Sequence, residues 1–313
     1  MHAAVLAIGG YDDADVRDLE AGFNVIFRSS FDDIQNMAID ARHAVRAVAF
    51  KGHTPFGHQE MALLPSLGVI ANYGVGYDAI DTVAAKARGI AVTNTPDVLN
   101  DDVADLAVAM MLMQGRDMRR GDAWVRDGIW AGGGDLPLNR KISGGRVGIL
   151  GLGRIGREIA ARLAAFKMDI HYWSRGPKKT PDGWQYHNSP DALAAAVDYL
   201  IVALVGGTQT CGIVSASVIK ALGPKGVLIN ISRGSTVDEA ALLEALEKGH
   251  LAGAGLDVFL NEPAVDPRFL SLDNVVLQPH QGSGTIETRA AMAKLQRDNI
   301  AAFLDGQPLL TEV

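Results

Sequence analysis

A single cysteine, Cys211, stands in the 313 residues, so no intramolecular disulfide can form and a reducing compartment, the cytoplasm, is expected. Basic residues are not in excess: 29 Lys and Arg face 36 Asp and Glu, a formal net charge of −7. That balance argues against a general nucleic-acid binder, because a polyanion needs a basic surface. No apolar run reaches the ~18–20 residues that a membrane-spanning helix requires. The longest, Leu106–Met113, stops at Gln114-Gly115-Arg116. The opening Met1-His2-Ala3-Ala4 has neither a basic region ahead of an apolar stretch nor a cleavage pattern, so no signal peptide is expected. Tandem repeats and low-complexity tracts are also missing. With 48% hydrophobic residues, the chain has ample material for a packed core.

What is present is alternation. Short apolar, β-rich runs at Ala3–Ile8, Asn24–Phe27, Val45–Phe50, Val69–Asn72 and Ile90–Thr93 are separated by helical spacing at Asp12–Ala21, Phe31–Ala41 and Asp78–Arg88. A long helix is expected over Leu99–Arg119, followed by a weakly periodic Gly-, Trp- and Arg-rich stretch, Gly121–Gly145. Strands resume at Arg146–Leu150, Met168–Trp173, Tyr199–Leu204, Val227–Ile231, Ala252–Asp257 and Val275–Gln278, and Gly284–Asp305 closes the chain as a helix. This is the pattern of two α/β units, each a parallel sheet with crossover helices, separated near residues 95–100.

Strand Arg146–Leu150 runs into Gly151-Leu152-Gly153-Arg154-Ile155-Gly156, and an amphipathic helix opens at the third glycine. A strand, a G-x-G-x-x-G turn and a helix in that order hold a dinucleotide diphosphate on the helix N-terminus. At the end of the next strand an NAD-binding chain places an acid for the ribose hydroxyls. Here the residues are Ser174-Arg175, with Lys178 and Lys179 close behind, a combination suited to an adenosine 2′-phosphate and hence to NADP. Three further strand exits carry polar residues: Arg233 after Ile229–Ser232, Asp257 with Glu262 beyond Ala254–Leu256, and His280 after Leu277–Pro279. In a doubly wound sheet such exits converge on one ligand crevice.

These segments resemble, in order and over nearly the whole chain, the D-isomer-specific 2-hydroxyacid dehydrogenases. The matching stretches are Asn72–Asp81, Thr93–Pro96, Gly151–Gly156, Asn230–Gly234, Gly255–Phe259 and Pro279–Ser283. Ser174-Arg175, Gly128–Trp130 and Glu287–Arg289 are most similar to the NADP-dependent glyoxylate/hydroxypyruvate and hydroxyphenylpyruvate reductases. The resemblance implies two doubly wound domains with a cleft between them. A flavodoxin-like substrate domain would comprise residues 1–96 plus 284–313, and a Rossmann cofactor domain residues 97–283. Gly121–Gly145 would be a dimerisation arm, with Trp124 and Trp130 as interface anchors of a homodimer.

The same resemblance implies a reaction, NADPH-dependent reduction of small 2-keto acids such as glyoxylate and hydroxypyruvate, with no metal. His280 would protonate the carbonyl oxygen, Glu262 would orient the imidazole and favour its protonated form, and Arg233 would hold the substrate carboxylate. Val75 and Gly76 would supply backbone N–H groups to that carboxylate, and Lys51 would line the substrate pocket. Gly151, Leu152, Gly153, Arg154, Ile155, Gly156, Ser174, Arg175, Thr210, Asp257 and Gly282 would hold the cofactor, although Val205-Gly206-Gly207 departs from the family's Pro-containing stretch before Thr210. Two other readings stay open: an NAD-dependent D-2-hydroxyacid dehydrogenase of another specificity, and an NAD(H)-sensing corepressor-like binding protein. The full Arg, Glu and His set counts against the second.

Overall fold

The structure, a computed structural model, describes residues 3–313; Met1 and His2, part of the expected leaderless start, lie outside the described residues. The chain divides into two compact units, Met1–Val98 with Thr285–Val313, and Leu99–Gly284.

The first unit is a five-stranded parallel sheet of β1 (Ala4–Gly9), β2 (Val25–Arg28), β3 (Val45–Lys51), β4 (Val69–Asn72) and β5 (Ala91–Thr93), in the order β2-β1-β3-β4-β5. Its central strands are buried along nearly their whole length, which is why they read as continuous apolar runs instead of alternating ones. One layer of core joins Leu6, Val48, Phe50 and Ile70 to Phe31, Ile34 and Phe56. The other packs Val5, Ala47 and Ala71 under Ile300 of the C-terminal helix Ile286–Leu304.

The second unit is a seven-stranded parallel sheet of β6 (Arg146–Leu150), β7 (Asp169–Trp173), β8 (Gln185–Tyr186), β9 (Tyr199–Val202), β10 (Val227–Asn230), β11 (Gly253–Leu256) and β12 (Val275–Leu277). The order β12-β11-β10-β9-β6-β7-β8 reverses between β6 and β9, so the turn after β6 opens at the switch point of the sheet. One face is covered by the helices Pro190–Ala196, Ala216–Leu222 and Glu239–Glu247. Helix Asn100–Gly115 packs on the helix Arg154–Ala165 and against β10, β11 and β12.

Three elements differ from the sequence reading. The helix expected over Leu99–Arg119 ends at Gly115, because Asp117 takes a left-handed φ of +47°, and a second helix runs over Met118–Arg126. Phe31–Ala41 is two short helices, Asp32–Gln35 and Ile39–Ala44, with Ala38 extended between them. Phe31, Ile34 and Met37 are nonetheless all buried, so the spacing reported a buried face without reporting continuity. β8 has only two residues and both are exposed, too little for an apolar run to reveal. Among the described residues, no helix is long and apolar enough to cross a membrane.

Candidate active site

The turn after β6 has the geometry of a diphosphate cradle. Gly151 has φ +107°, and a Cβ there would stand 2.6 Å from the Ala203 carbonyl oxygen. A Cβ on Gly156 would stand 2.1 Å from the carbonyl oxygen of Gly151, so the third glycine sets how closely the helix meets the strand. Gly153 is exposed and has no neighbour within 4 Å of its Cβ position, which leaves open space beside the backbone. As N-cap of the helix Arg154–Ala165 it offers no capping side chain to compete with an anion for the positive end of the helix dipole. Leu152 is buried, Ile155 half-buried and Arg154 exposed. These features fit a dinucleotide.

Past β7, Ser174 is buried and its hydroxyl donates to the Gly176 carbonyl at 2.6 Å. Its hydrogen is therefore committed to shaping the turn. Arg175, Lys178 and Lys179 are exposed, and their side chains enter no ion pair among the described residues. Tyr172 steadies the turn: its hydroxyl donates to the Lys178 carbonyl and accepts from the Lys178 amide. Thr210 donates to the Val205 carbonyl at 2.6 Å, folding the Val205–Thr210 loop on itself.

The three remaining strand exits of this sheet are tied to one another. Arg233 follows β10, and its carbonyl accepts from Asn230 Nδ2 at 3.0 Å, Thr236 Oγ1 at 2.6 Å and the Thr236 amide at 3.1 Å. Asn230 and Thr236 are buried, so the backbone that carries the guanidinium is fixed from both sides. Gly234 lies against the exit of the next strand; a Cβ there would come within 1.9 Å of the Phe259 carbonyl carbon. Phe259 in turn donates its amide to Glu262 Oε1 at 2.9 Å, and Glu262 Oε2 meets His280 Nδ1 at 2.6 Å.

His280 itself has φ +55°, a conformation that costs a non-glycine residue ~1–2 kcal/mol. Asp257 holds it there. The Asp257 carbonyl accepts the His280 amide at 2.9 Å, and its two carboxylate oxygens accept the amides of Gln281 and Gly282 at 2.6 and 2.8 Å. Burial pushes the Asp257 carboxyl above the usual carboxylate range, with Glu262 adding to the rise, while the two loop amides and His280 draw it down.

In the first unit, the loop after β4 is built by the same device as the loop after β10: each strand ends in a buried Asn whose Nδ2 donates to carbonyls of the following turn. Asn72 Nδ2 donates to the carbonyls of Gly74 and Gly76, both at 3.0 Å, and Asn94 Nδ2 donates to that of Val75 at 2.9 Å. With those carbonyls engaged, the Val75 and Gly76 amides have no partner among the described residues, an arrangement that suits a carboxylate. Lys51, at the end of β3, pairs with Asp15 at 3.1 Å.

Asn72, Asn94, Asn230 and Thr236 were not among the expected site residues. For Asn72 and Asn230 the signal in sequence is a polar residue closing an otherwise apolar strand, Val-Ile-Ala-Asn72 and Val-Leu-Ile-Asn230. Trp124 donates its indole N–H to the Gly134 carbonyl at 2.7 Å, within the arm, whereas Trp130 is 64% exposed. A cavity of about 500 Å³ lies beneath the arm, against Gln114, Asn139 and Asn274, and contains none of the expected catalytic residues.

The sequence profile of the D-isomer specific 2-hydroxyacid dehydrogenase NAD binding domain matches residues 108–282. The chain is 47% identical over 270 residues to the hydroxyphenylpyruvate reductase of Plectranthus scutellarioides, covering 86% of each protein. It is 43% identical over 299 residues to the 2-ketogluconate reductase of Gluconobacter oxydans, covering 94% and 93%. Among solved structures, an NADPH-dependent glyoxylate/hydroxypyruvate reductase from Sinorhizobium meliloti, in complex with NADP and malonate, superimposes with a TM-score of 0.94 at 43% identity, covering 100% of this chain and 97% of that one. A nucleotide-binding turn, a sheet that assembles Arg233, Glu262 and His280 at its strand exits, and these relationships lead to one conclusion: the chain belongs to the D-isomer specific 2-hydroxyacid dehydrogenase family.

Proposed function

We propose that the protein reduces small 2-keto acids, glyoxylate and hydroxypyruvate among them, to D-2-hydroxy acids with NADPH. The observation that carries this reading is the 2.6 Å contact of His280 Nδ1 with Glu262, which commits one ring nitrogen to a carboxylate; the proposal gives Nε2 to the substrate. His280 donates the proton from Nε2 to the carbonyl oxygen as C2 is reduced, and Glu262 keeps the ring oriented and balances its charge. Arg233, a planar and permanently charged fork, takes the substrate carboxylate and polarises the keto oxygen. The Val75 and Gly76 amides and Lys51 are assigned to substrate within the first unit.

When bound, the nicotinamide cofactor supplies the hydride. Residues Gly151–Gly156 would cradle its diphosphate, with Thr210, Asp257 and Gly282 along its length. The exposed Arg175, with Lys178 and Lys179, would pair with the 2′-phosphate, and this supports NADPH over NADH. The NADP-bound Sinorhizobium meliloti relative supports the same choice. Two copies would pair through the arm near residues 121–145, whose Val125, Ile129, Trp130 and Leu138 are exposed apolar side chains.

The test is loss of nicotinamide absorbance with NADPH or NADH and a panel of glyoxylate, hydroxypyruvate, pyruvate and hydroxyphenylpyruvate. Turnover with NADPH and the two small acids is expected. Binding of cofactor without turnover would instead support a sensing protein.

A further inference from the structure

The strand order of the first sheet reverses between β1 and β3, so the chain leaves these neighbours in opposite directions and opens a crevice at their carboxyl ends. A charged cluster fills that position. Lys51 closes β3, and its Nζ lies 3.1 Å from Asp15 Oδ2, 4.5 Å from the ring centre of Tyr73 and 5.2 Å from that of Tyr11. Arg289, from the C-terminal helix, places its guanidinium carbon 6.0 Å from the same Tyr73 ring and enters no ion pair among the described residues. Both tyrosines are pinned: Tyr11 donates to Gln296 Oε1 at 3.3 Å and Tyr73 to the Arg289 carbonyl at 2.9 Å. The Lys51 and Asp15 side chains are only 21% and 11% exposed. A pair so enclosed gives little net stability compared with apolar residues of the same volume, so its presence at a strand exit calls for another reason.

We infer that Lys51, Asp15 and Arg289, arranged around Tyr73, form a subsite that reads hydroxyl groups on the substrate beyond its keto carbon, selecting polyhydroxylated 2-keto acids. The inference rests on the reductase reading and deepens it. Tyr73 lies two residues before Val75, so the cluster adjoins the amides assigned to the substrate carboxylate. An ammonium has three donors, of which Lys51 uses one on Asp15, and the carboxylate keeps lone pairs to spare. A donor and an acceptor side by side complement a hydroxyl, which both donates and accepts. A second carboxylate fits less well. Asp12 lies at the same end, capping the helix Asp13–Gly22, so two acids already offset Lys51 and Arg289.

The test compares kcat/KM of the purified full chain with NADPH for 2-ketogluconate, its 3-deoxy analogue, 2-oxoglutarate and glyoxylate. The wild type is expected to favour 2-ketogluconate over the 3-deoxy acid by at least ~10-fold, since a site built for a hydroxyl is left unpaired by an analogue lacking it. Lys51→Met and Arg289→Met should each cut that ratio about tenfold, and Lys51→Arg should recover part of it. Lys51→Met leaves Asp15 uncompensated and risks misfolding, so the neutral pair Asp15→Asn with Lys51→Gln is made alongside. Unchanged ratios in all variants would overturn the subsite, and so would a wild-type preference for 2-oxoglutarate. Absence of turnover with every keto acid would instead reject the reductase reading, and the subsite with it.

Discussion

Nδ1 of His280 lies 2.6 Å from Oε2 of Glu262, and the other oxygen of that carboxylate accepts the Phe259 amide at 2.9 Å. The glutamate is therefore aimed by its own loop before it aims the histidine. Glu262→Gln keeps an acceptor for the Phe259 amide but removes the charge that offsets a protonated ring. We expect kcat for glyoxylate reduction to fall by roughly 10²-fold, the usual yield of positioned acid–base chemistry, with NADPH affinity little altered. Steady-state rates and a fluorescence titration measure the two. Wild-type kcat in the Gln variant would remove Glu262 from the mechanism.

Thr236 offers a test of how Arg233 is held. Its buried hydroxyl donates to the Arg233 carbonyl at 2.6 Å. Thr236→Val preserves shape and deletes that bond, worth about 1 kcal/mol, or ~5-fold. The loss should appear as a higher KM for the keto acid, with the Kd of NADPH unchanged. If KM stays at the wild-type value, the hydroxyl serves the fold alone.

The fold was largely legible because strands buried on both faces write continuous apolar runs, and crossover helices space them. The candidate site was legible wherever a polar residue interrupted such a run at its exit, as at Arg233, Asp257 and His280. What could not be read was the wiring. Nothing in the sequence says that Asp257 directs both carboxylate oxygens to the Gln281 and Gly282 amides, or that Ser174 turns inward to Gly176 while Arg175 stays exposed. Those bonds depend on backbone directions set by tertiary packing. The left-handed φ of Asp117 escaped for the same reason, since aspartate tolerates both that conformation and a helix.

Gly156 should tolerate no side chain. A methyl group there would meet the Gly151 carbonyl at 2.1 Å and Ile149 Cγ2 at 3.1 Å, and the first neighbour is backbone that cannot swing aside. Gly156→Ala is expected to cost ~1–3 kcal/mol of stability through overpacking and to weaken NADPH binding at least tenfold. Calorimetry and titration check both; a variant with wild-type Tm would mean the helix can retreat from the strand without penalty.

A histidine pair remote in sequence from His280 should make stability depend on pH. His171 Nδ1 and His187 Nε2 lie 2.9 Å apart with stacked rings, and burial holds both below the usual histidine range. For His171 the neighbouring His187 and Arg146 act in the same direction, and Asp169 opposes them. The unfolded chain takes up protons near pH ~6.5, where the native pair resists them. Below that pH the unfolded state binds more protons, so stability falls as pH falls, and it is level above. Tm should drop between pH 7.5 and 5.5, and His187→Gln should flatten the slope. An equally steep slope in the variant would place the dependence elsewhere.

On the proposed function, coenzyme choice would turn on Arg175. Its side chain is exposed, it ends no ion pair among the described residues, and Lys178 and Lys179 follow it on a turn that Tyr172 and Ser174 keep in shape. An acid in this place would accept hydrogen bonds from ribose hydroxyls and repel a 2′-phosphate; a guanidinium does the reverse. Because the Ser174 hydroxyl donates within the turn, the proposed preference would rest on the cations. A charge-assisted contact is worth ~1.5–3 kcal/mol, or about 10- to 150-fold. Arg175→Ala should therefore raise KM for NADPH by at least that lower factor and leave KM for NADH nearly unchanged, since only NADPH carries the phosphate. Comparing kcat/KM for both coenzymes in both proteins decides the matter. A wild-type preference for NADH, or equal losses for the two coenzymes in the variant, would show that this basic turn does not read the phosphate.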